Sequence, residues 1–376
     1  MTYGTVNADV IATSTPQGIL GAGNASIMKN RIINGAMVID QRNSGASVSP
    51  YFSYTLDRWY GLTTQTSKFT VQQNAGSVTL PVGFSNYLGI TSSSAYSVLT
   101  ADTFAILQKI EGYNISDLGW GTANAKTVTL SFQVYSSLTG TFGGALQNSA
   151  SNRSYPFTFT ASSANTWTSV SVTISGDTAG TWLTTNGVGI QVVFGLGSGS
   201  TYSSGTANIW SSTNTNQPTG TVSIVGTSGA TFYITGVQLE VGSSATGYEY
   251  RQYQQELALC QRYCFVAGGN PSGANPLTTG LSYSTSASNG IMSFPVTMRA
   301  APTMTYGTVT DYQITNGAGT AYTTSNAGNY VVSNQAIELQ FNVASAVLTQ
   351  GQASLIRSGA STGSAGTGKI TASAEL

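Results

Sequence analysis

The chain has 376 residues, of which 7% are charged, with 13 basic against 13 acidic side chains and no histidine. Zero net charge removes the electrostatic footprint of a nucleic-acid or anionic-membrane binder, and the absent imidazole removes Ser-His-acid and Cys-His catalysis. At 40% apolar residues a core can form, and short β-branched runs between Gly, Ser and Asn clusters predict an all-β protein with many turns.

From the N-terminus, residues 1–30 are small and polar, with apolar residues in pairs: Val10 with Ile11, Ile19 with Leu20, Ile27 with Met28. These are too few for an independent core. One reading is a disordered terminus; the other, favoured by pairs recurring between turn residues, is an arm that orders on docking to a neighbouring protein. The stretch lacks the basic start and apolar core of a signal peptide. No run approaches the ~18 apolar residues of a membrane span. Synthesis in the cytoplasm without membrane insertion is the expectation.

A first module is expected over residues 31–248. Ile32, Ile33, Met37, Val38 and Ile39 are core candidates. Asp57 and Arg58 are adjacent, so on a strand they point to opposite faces and make no catalytic pair. In TVTLSFQVY, Val128, Leu130, Phe132 and Val134 alternate with polar residues; Val170, Val172 and Ile174, then Val188, Ile190, Val192 and Phe194, do the same. Tyr155, Phe157 and Phe159 share a face, and Pro156 suggests an edge strand. Phe104, Ile106 and Ile110 share another, interrupted by Gln108. Such alternation is how antiparallel sheets of a sandwich are written. Gly236 inside FYITGVQL predicts a bulge or close packing.

Residues 249–266 predict a short linking helix. Tyr250, Tyr253, Leu257, Cys260 and Cys264 are spaced three, four, three, four, which is an a/d seam. The seam either joins copies of the chain or packs on its own β-domain. Cys260 and Cys264, without histidine, make no zinc site and are expected as reduced thiols. Residues 267–376 predict a smaller C-terminal β-domain with strands in IMSFPVTM, TMTYGTV and QAIELQF, where Ile337, Leu339 and Phe341 share one face. MTYGTV also occurs at the N-terminus, but the flanks differ and no repeat is assigned.

Catalytic chemistry finds few candidates. Asp102 with Glu111, or Glu111 with Asp117, are the carboxylate pairs closest to the spacing glycoside hydrolysis needs, and nothing forces them together. Glu240 reads as a surface residue or a buried ion-pair member rather than a lone calcium ligand. No phosphate loop is present, and no catalytic residue, metal or cofactor is assigned. Sugar binding needs exposed aromatic faces beside amides or carboxylates. The five tryptophans, Trp59, Trp120, Trp167, Trp182 and Trp210, read as packing residues of the first module. Tyr283, Tyr306, Tyr312, Tyr322 and Tyr330 lie among polar residues of the distal part and are the ligand-binding candidates.

NRIINGAMVIDQR, YTLDRWYG, QKIEGYN, NRSYPFTFT, TGTWLTTNGVGIQVVF, ATFYITGVQLEVGSSAT and ELALCQRYC together resemble tailed-bacteriophage fibre and receptor-binding proteins, over residues 30 to 264. FPVTMRAAPT and ITASAEL also resemble distal fibre domains. Cys264 stands where the resemblance leads one to expect an aromatic residue. The resemblance implies a jelly-roll first module similar to carbohydrate-binding modules. It also implies a virion component, a homotrimeric tail fibre that binds a host-surface glycan, attached to other virion proteins through residues 1–30. A capsid-attached fibre or decoration protein and a glycan-cleaving tailspike are the alternatives.

Overall fold

In the computed structural model, which describes residues 29–269, 275–359 and 368–376, the alternating runs are strands. The expected arm, save Lys29 and Asn30, lies outside the described residues. The first eleven strands are β1 (Ser53–Tyr54), β2 (Trp59–Thr63), β3 (Phe69–Gln73), β4 (Leu88–Ser92), β5 (Thr103–Glu111), β6 (Val128–Ser136), β7 (Gly140–Gln147), β8 (Ser154–Ala161), β9 (Thr168–Ile174), β10 (Val188–Ser198) and β11 (Thr231–Val241). Two units form. One is built mainly from Asn74–Arg251; the other combines Gln252–Leu376 with Val38–Gly61 and Val71–Gln73.

The first unit is a jelly-roll sandwich. One sheet contains the order β5-β10-β7-β8 and the other β4-β11-β6-β9. Apart from the β7–β8 hairpin, consecutive strands from β4 to β11 cross between the sheets, the winding that gives a jelly roll. The inward rows meet as rings: Phe132 lies 5.1 Å from both Phe159 and Phe194 in T-shaped contact, and Phe142 lies 5.8 Å from Phe232. Burial of each such side chain stabilises by about 1.5–3 kcal/mol. Pro156 lies on β8, the end strand of its sheet, where a missing N–H costs no ladder bond. At Gly236 the β11–β6 register shifts and φ is +61°, with the Phe84 ring closing over the glycine. Gln108 does not spoil its strand. It is buried, and its amide accepts from the Ile33 N–H and donates to the Ile33 carbonyl, both at 2.8 Å, as another strand would.

The described residues of the second unit form an α-helix, α1 (Tyr253–Gln261), and strands β12 (Cys264–Gly268), β13 (Asn275–Ser282), β14 (Ala287–Ser293), β15 (Thr303–Tyr306), β16 (Tyr312–Thr315), β17 (Ala321–Val332), β18 (Ala336–Val343), β19 (Ala353–Ser358) and β20 (Lys369–Ser373). A closed barrel runs β13-β14-β18-β17-β16-β19, beside a three-stranded sheet β12-β20-β15. Ile337, Leu339 and Phe341 point inward as alternation requires, joining Met292, Tyr312, Ile314 and Ile356 in the core.

The expected seam needs correction. The helix is nine residues long, and Cys264 already belongs to β12, paired with Ser373 of β20. Tyr250 precedes the helix, and Tyr250 and Tyr253 are exposed. The buried stripe is instead Glu256, Cys260 and Tyr263, with Leu257 half-buried. The aromatic and β-branched run CFV competes for strand pairing and stops the helix, so the five seam residues never share one helical face. Both cysteines are free and buried, and burial pushes both thiols well above their ordinary value.

Asp57 and Arg58 are likewise more deeply placed than adjacency suggested. Arg58 adopts φ +71° in the β1–β2 turn and is 1% exposed. It pairs with Glu375 and lies 3.6 Å from the centre of the Tyr263 ring, while Arg42 reaches the same carboxylate at 3.0 Å. Asp57 accepts from the backbone and side chain of Gln41 at 2.7 and 2.6 Å. The Tyr54 hydroxyl donates to the Leu376 carbonyl, and Arg299 donates to the carbonyls of Ala374 and Glu375. The residues after β20 are thus fastened by Arg42, Tyr54 and Arg58 from early in the chain and by Arg299. A buried pair of this kind contributes little net stability, but losing one partner is costly.

Candidate functional site

The outward face of the barrel is where exposed rings and polar groups coincide. In β18, Glu338 and Gln340 alternate with Ile337, Leu339 and Phe341, so they face outward. Across the β14–β18 ladder, Asn289 stands opposite Gln340 and Ile291 opposite Glu338; across β13–β14, Leu281 stands opposite Asn289. The pairings place Leu281, Asn289, Ile291, Glu338 and Gln340 on one patch. Tyr283 follows the end of β13. Tyr330 comes from β17, at a break in register between Asn329 and Val331, so it is the extra residue of a bulge. Bulges re-aim a side chain, and Tyr330 stands 71% exposed, with Tyr283 at 64%. Together these residues line a cleft of ≈ 360 Å³.

The floor of the cleft is a directed chain of hydrogen bonds. Gln340 Nε2 donates to Asn289 Oδ1 at 3.3 Å, and Asn289 Nδ2 donates to Glu338 Oε1 at 3.0 Å. A carboxylate only accepts, so Glu338 fixes the orientation of the Asn289 amide, which fixes that of Gln340. Glu338 Oε2 and Gln340 Oε1 remain as acceptors. Two apolar walls, Leu281 and Ile291, and two tyrosine faces surround them. Neither tyrosine stacks on another ring among the described residues, so each has a face to offer.

Of the other tyrosines expected to meet a ligand, Tyr312 is fully buried: its hydroxyl donates to the Lys369 carbonyl at 2.6 Å and accepts from Gly307 N–H, and burial pushes it up to about 12. It has no face for a ligand, because β16 needs an inward aromatic against Phe341. Tyr306 and Tyr322 are half-buried and pack on the barrel core, and neither lines the cleft. Asn289, Glu338, Gln340, Leu281 and Ile291 did not stand out in the sequence. The signal was available for two of them, since the alternation that puts Ile337, Leu339 and Phe341 inside puts Glu338 and Gln340 outside.

The sandwich carries a second groove, ≈ 370 Å³, lined by Ser131, Gln133, Ser169, Ser171, Thr246, Phe84, Tyr248 and Tyr250 among others. Its rings are engaged with one another: Tyr248 lies 5.0 Å from Tyr250 and 5.2 Å from Phe84. Farther along β6, Tyr135 stacks on Tyr233 at 5.3 Å. The tryptophans pack similarly. Trp59 is fully buried, Trp120, Trp182 and Trp210 form a mutual cluster with centroids 4.7–5.4 Å apart, and the Trp167 indole donates to the Thr79 carbonyl.

The carboxylates weighed for catalysis have structural partners. Asp102 accepts from Tyr96, Gln65, Thr64 and the Leu99 N–H. Burial acts to raise its pKa, but those hydrogen bonds outweigh it and hold the carboxyl below the usual range. Asp117 pairs with Arg31 at 2.8 Å, and Glu111 is buried at the end of β5. Glu240 is 3% exposed, 3.9 Å from Lys29, and accepts from Thr246 N–H, Thr246 Oγ1 and Gln238 Nε2. It ties down the turn after β11. Among the described residues no group of three or more Cys, Asp or Glu side chains converges to hold a metal ion.

No protein-family model matches the chain, and no curated protein matches it. Among solved structures, the enzymatically active domain of tailspike protein 4 of bacteriophage CBA120 aligns at 11% identity and a TM-score of 0.33, over 57% of this chain and 22% of that one. A family 11 carbohydrate-binding module from Clostridium thermocellum in complex with a β-1,3-1,4-mixed-linked tetrasaccharide aligns at 10% identity and TM-score 0.27, over 53% and 98%. A module named TmCBM61, in complex with β-1,4-galactotriose, aligns at 9% identity and TM-score 0.29, over 57% and 99%.

Proposed function

We propose that this chain is a structural component of a tailed-bacteriophage particle, a homotrimeric fibre that binds a host-surface glycan through the barrel cleft. The observation that carries the binding part is the pair of exposed tyrosines, Tyr283 and Tyr330, above the Gln340–Asn289–Glu338 chain. Sugars present apolar C–H faces and hydroxyls together, and that combination calls for aromatic planes beside amide and carboxylate acceptors. Among the described residues Glu338 is the sole carboxylate lining the cleft, whereas hydrolysis of a glycosidic bond uses two. The cleft therefore suits holding a glycan rather than cutting it. The particle and trimer parts are supported by the fibre-like stretches of sequence. Weak single sites on three copies would sum to useful avidity.

The test is competition. The full-length protein, added to host cells ahead of phage, is expected to block adsorption. Tyr283→Ala and Tyr330→Ala are each expected to weaken binding to isolated host polysaccharide about tenfold, equivalent to about 1.4 kcal/mol. Their melting temperatures should stay near that of the wild type, because exposed rings contribute little to the fold. Equal binding by both variants would move the site away from the cleft. Sedimentation as a monomer at micromolar concentration would remove the trimer.

A further inference from the structure

We infer that Glu338 makes the cleft a charge filter, admitting neutral or amine-bearing sugars and rejecting glycans that place a carboxylate there. This rests on the cleft being the glycan site. Among the described residues lining it, Glu338 is an anion and no side chain is a cation. Recognition of a uronic or sialic acid needs an arginine fork, a lysine or a row of N–H donors. Here the directed chain runs the other way. Both amides spend a donor on the path leading to Glu338, at 3.3 and 3.0 Å, and Oε2 of Glu338 and Oε1 of Gln340 are left to accept. The second N–H of each amide and the two tyrosine hydroxyls can still donate, but the one formal charge among the described lining residues is negative, which favours an occupant rich in hydroxyls or ammonium groups. A ligand carboxylate would bring a second negative charge to a floor walled by Leu281, Ile291 and two rings, where water screens it less than in bulk. Glu338 is then a specificity residue. The tyrosines supply affinity without regard to charge, and the carboxylate sets which sugars may use it.

The experiment compares matched probes on the full-length protein. Neutral galactan and glucan oligosaccharides, their galacturonate and glucuronate counterparts, and chitosan oligosaccharides are titrated against the wild type and Glu338→Gln. The wild type is expected to bind members of the neutral or amine-bearing set at least about tenfold more tightly than the uronates. Raising the salt from low to several hundred millimolar should narrow that gap and leave the neutral affinities unchanged. Glu338→Gln keeps an oxygen for Asn289 to donate to but replaces the Oε2 acceptor with an N–H donor, so neutral binding should fall by up to about tenfold while uronate binding rises, and the ratio between the two should close. Uronates bound as well as neutral sugars by the wild type would overturn the filter and leave the glycan site standing. A gap that persists in both Glu338→Gln and high salt would mean that shape excludes the uronates, and would overturn it too. Failure of every probe to bind the wild type would overturn the glycan reading and the filter with it. The salt series on the wild type decides the matter even if the variant folds poorly.

Discussion

The sandwich groove and the barrel cleft are nearly equal in volume, ≈ 370 and ≈ 360 Å³, and both are lined by aromatic and polar side chains. They differ in what their rings already touch. Tyr250 is 61% exposed, yet it leans on Tyr248 and Phe84, while Tyr283 and Tyr330 stand clear of other rings. Exposure by itself therefore does not identify a binding ring. An aromatic face spent on a neighbour stabilises its own unit, and one left open can be spent on a ligand. The comparison also separates the two units electrostatically. The notable carboxylate of the sandwich, Asp102, is held below its ordinary range, whereas in the barrel unit burial pushes Asp57 up to about 6, against the pull of Arg42 and the Gln41 hydrogen bonds.

The comparison breaks first at the core. Phe132→Ala removes a ring that touches Phe159 and Phe194, and is expected to destabilise the sandwich by about 3–5 kcal/mol in urea unfolding. Glycan binding by whatever fraction stays folded should be unchanged. Next in size is the pH response. Because the folded pKa of Asp57 exceeds the unfolded one, the native state holds the extra proton between about pH 4 and 6, and its contribution is lost as pH rises through that window. Asp57→Asn should therefore gain on the wild type by up to about 2–3 kcal/mol between pH 4 and 7, measured as melting temperature across the series. Asp102→Asn should behave oppositely: the wild-type advantage exists at neutral pH and disappears as pH falls below about 4. Parallel pH profiles for the two variants would refute the electrostatic contrast. The smallest effect is Tyr250→Ala, expected to cost about 0.5–1.5 kcal/mol of sandwich stability through its lost ring contacts, with no change in glycan binding. A tenfold binding loss in that variant would place the groove on a par with the cleft.

Much of the sandwich was legible in its sequence, because strands such as β6, β8, β9 and β10 carry a period of two, whereas β4 and β7 do not. Pro156 marked an edge and Gly236 a bulge for reasons local to each residue. The helix was legible in place but not in extent or facing: the a/d spacing through Cys264 ran across the point where strand pairing with β20 takes over. Two of the five tyrosines expected at a ligand line the cleft, and what sorts them is not composition. Tyr330 stands out because of a bulge, and Tyr312 is withdrawn because its register points inward. The polar floor was half legible, since Glu338 and Gln340 alternate with core residues, but Asn289 joins them only through a ladder between β14 and β18 that no single stretch encodes. The charge cluster around Arg58 was hidden for the same reason, its partner lying at Glu375.

That separation has a consequence for the order in which the chain acquires its structure. Arg58 and Glu375 are 317 positions apart, and at a synthesis rate of ~5–20 residues per second the arginine waits some tens of seconds for its carboxylate. Over that interval the β1–β2 turn lacks the partner that justifies its left-handed arginine, whereas every strand from β4 to β11 has already been made. The sandwich can mature while the rest of the chain is being made, whereas the second unit closes only once Glu375 has been made and has reached Arg58. Contacts of such long sequence range are paid for late and form slowly. A fragment ending near residue 266 would thus leave Arg42 and Arg58 without the Glu375 carboxylate they share. Newly made protein should pass through a period in which protease cuts near residue 58 while sparing the sandwich strands.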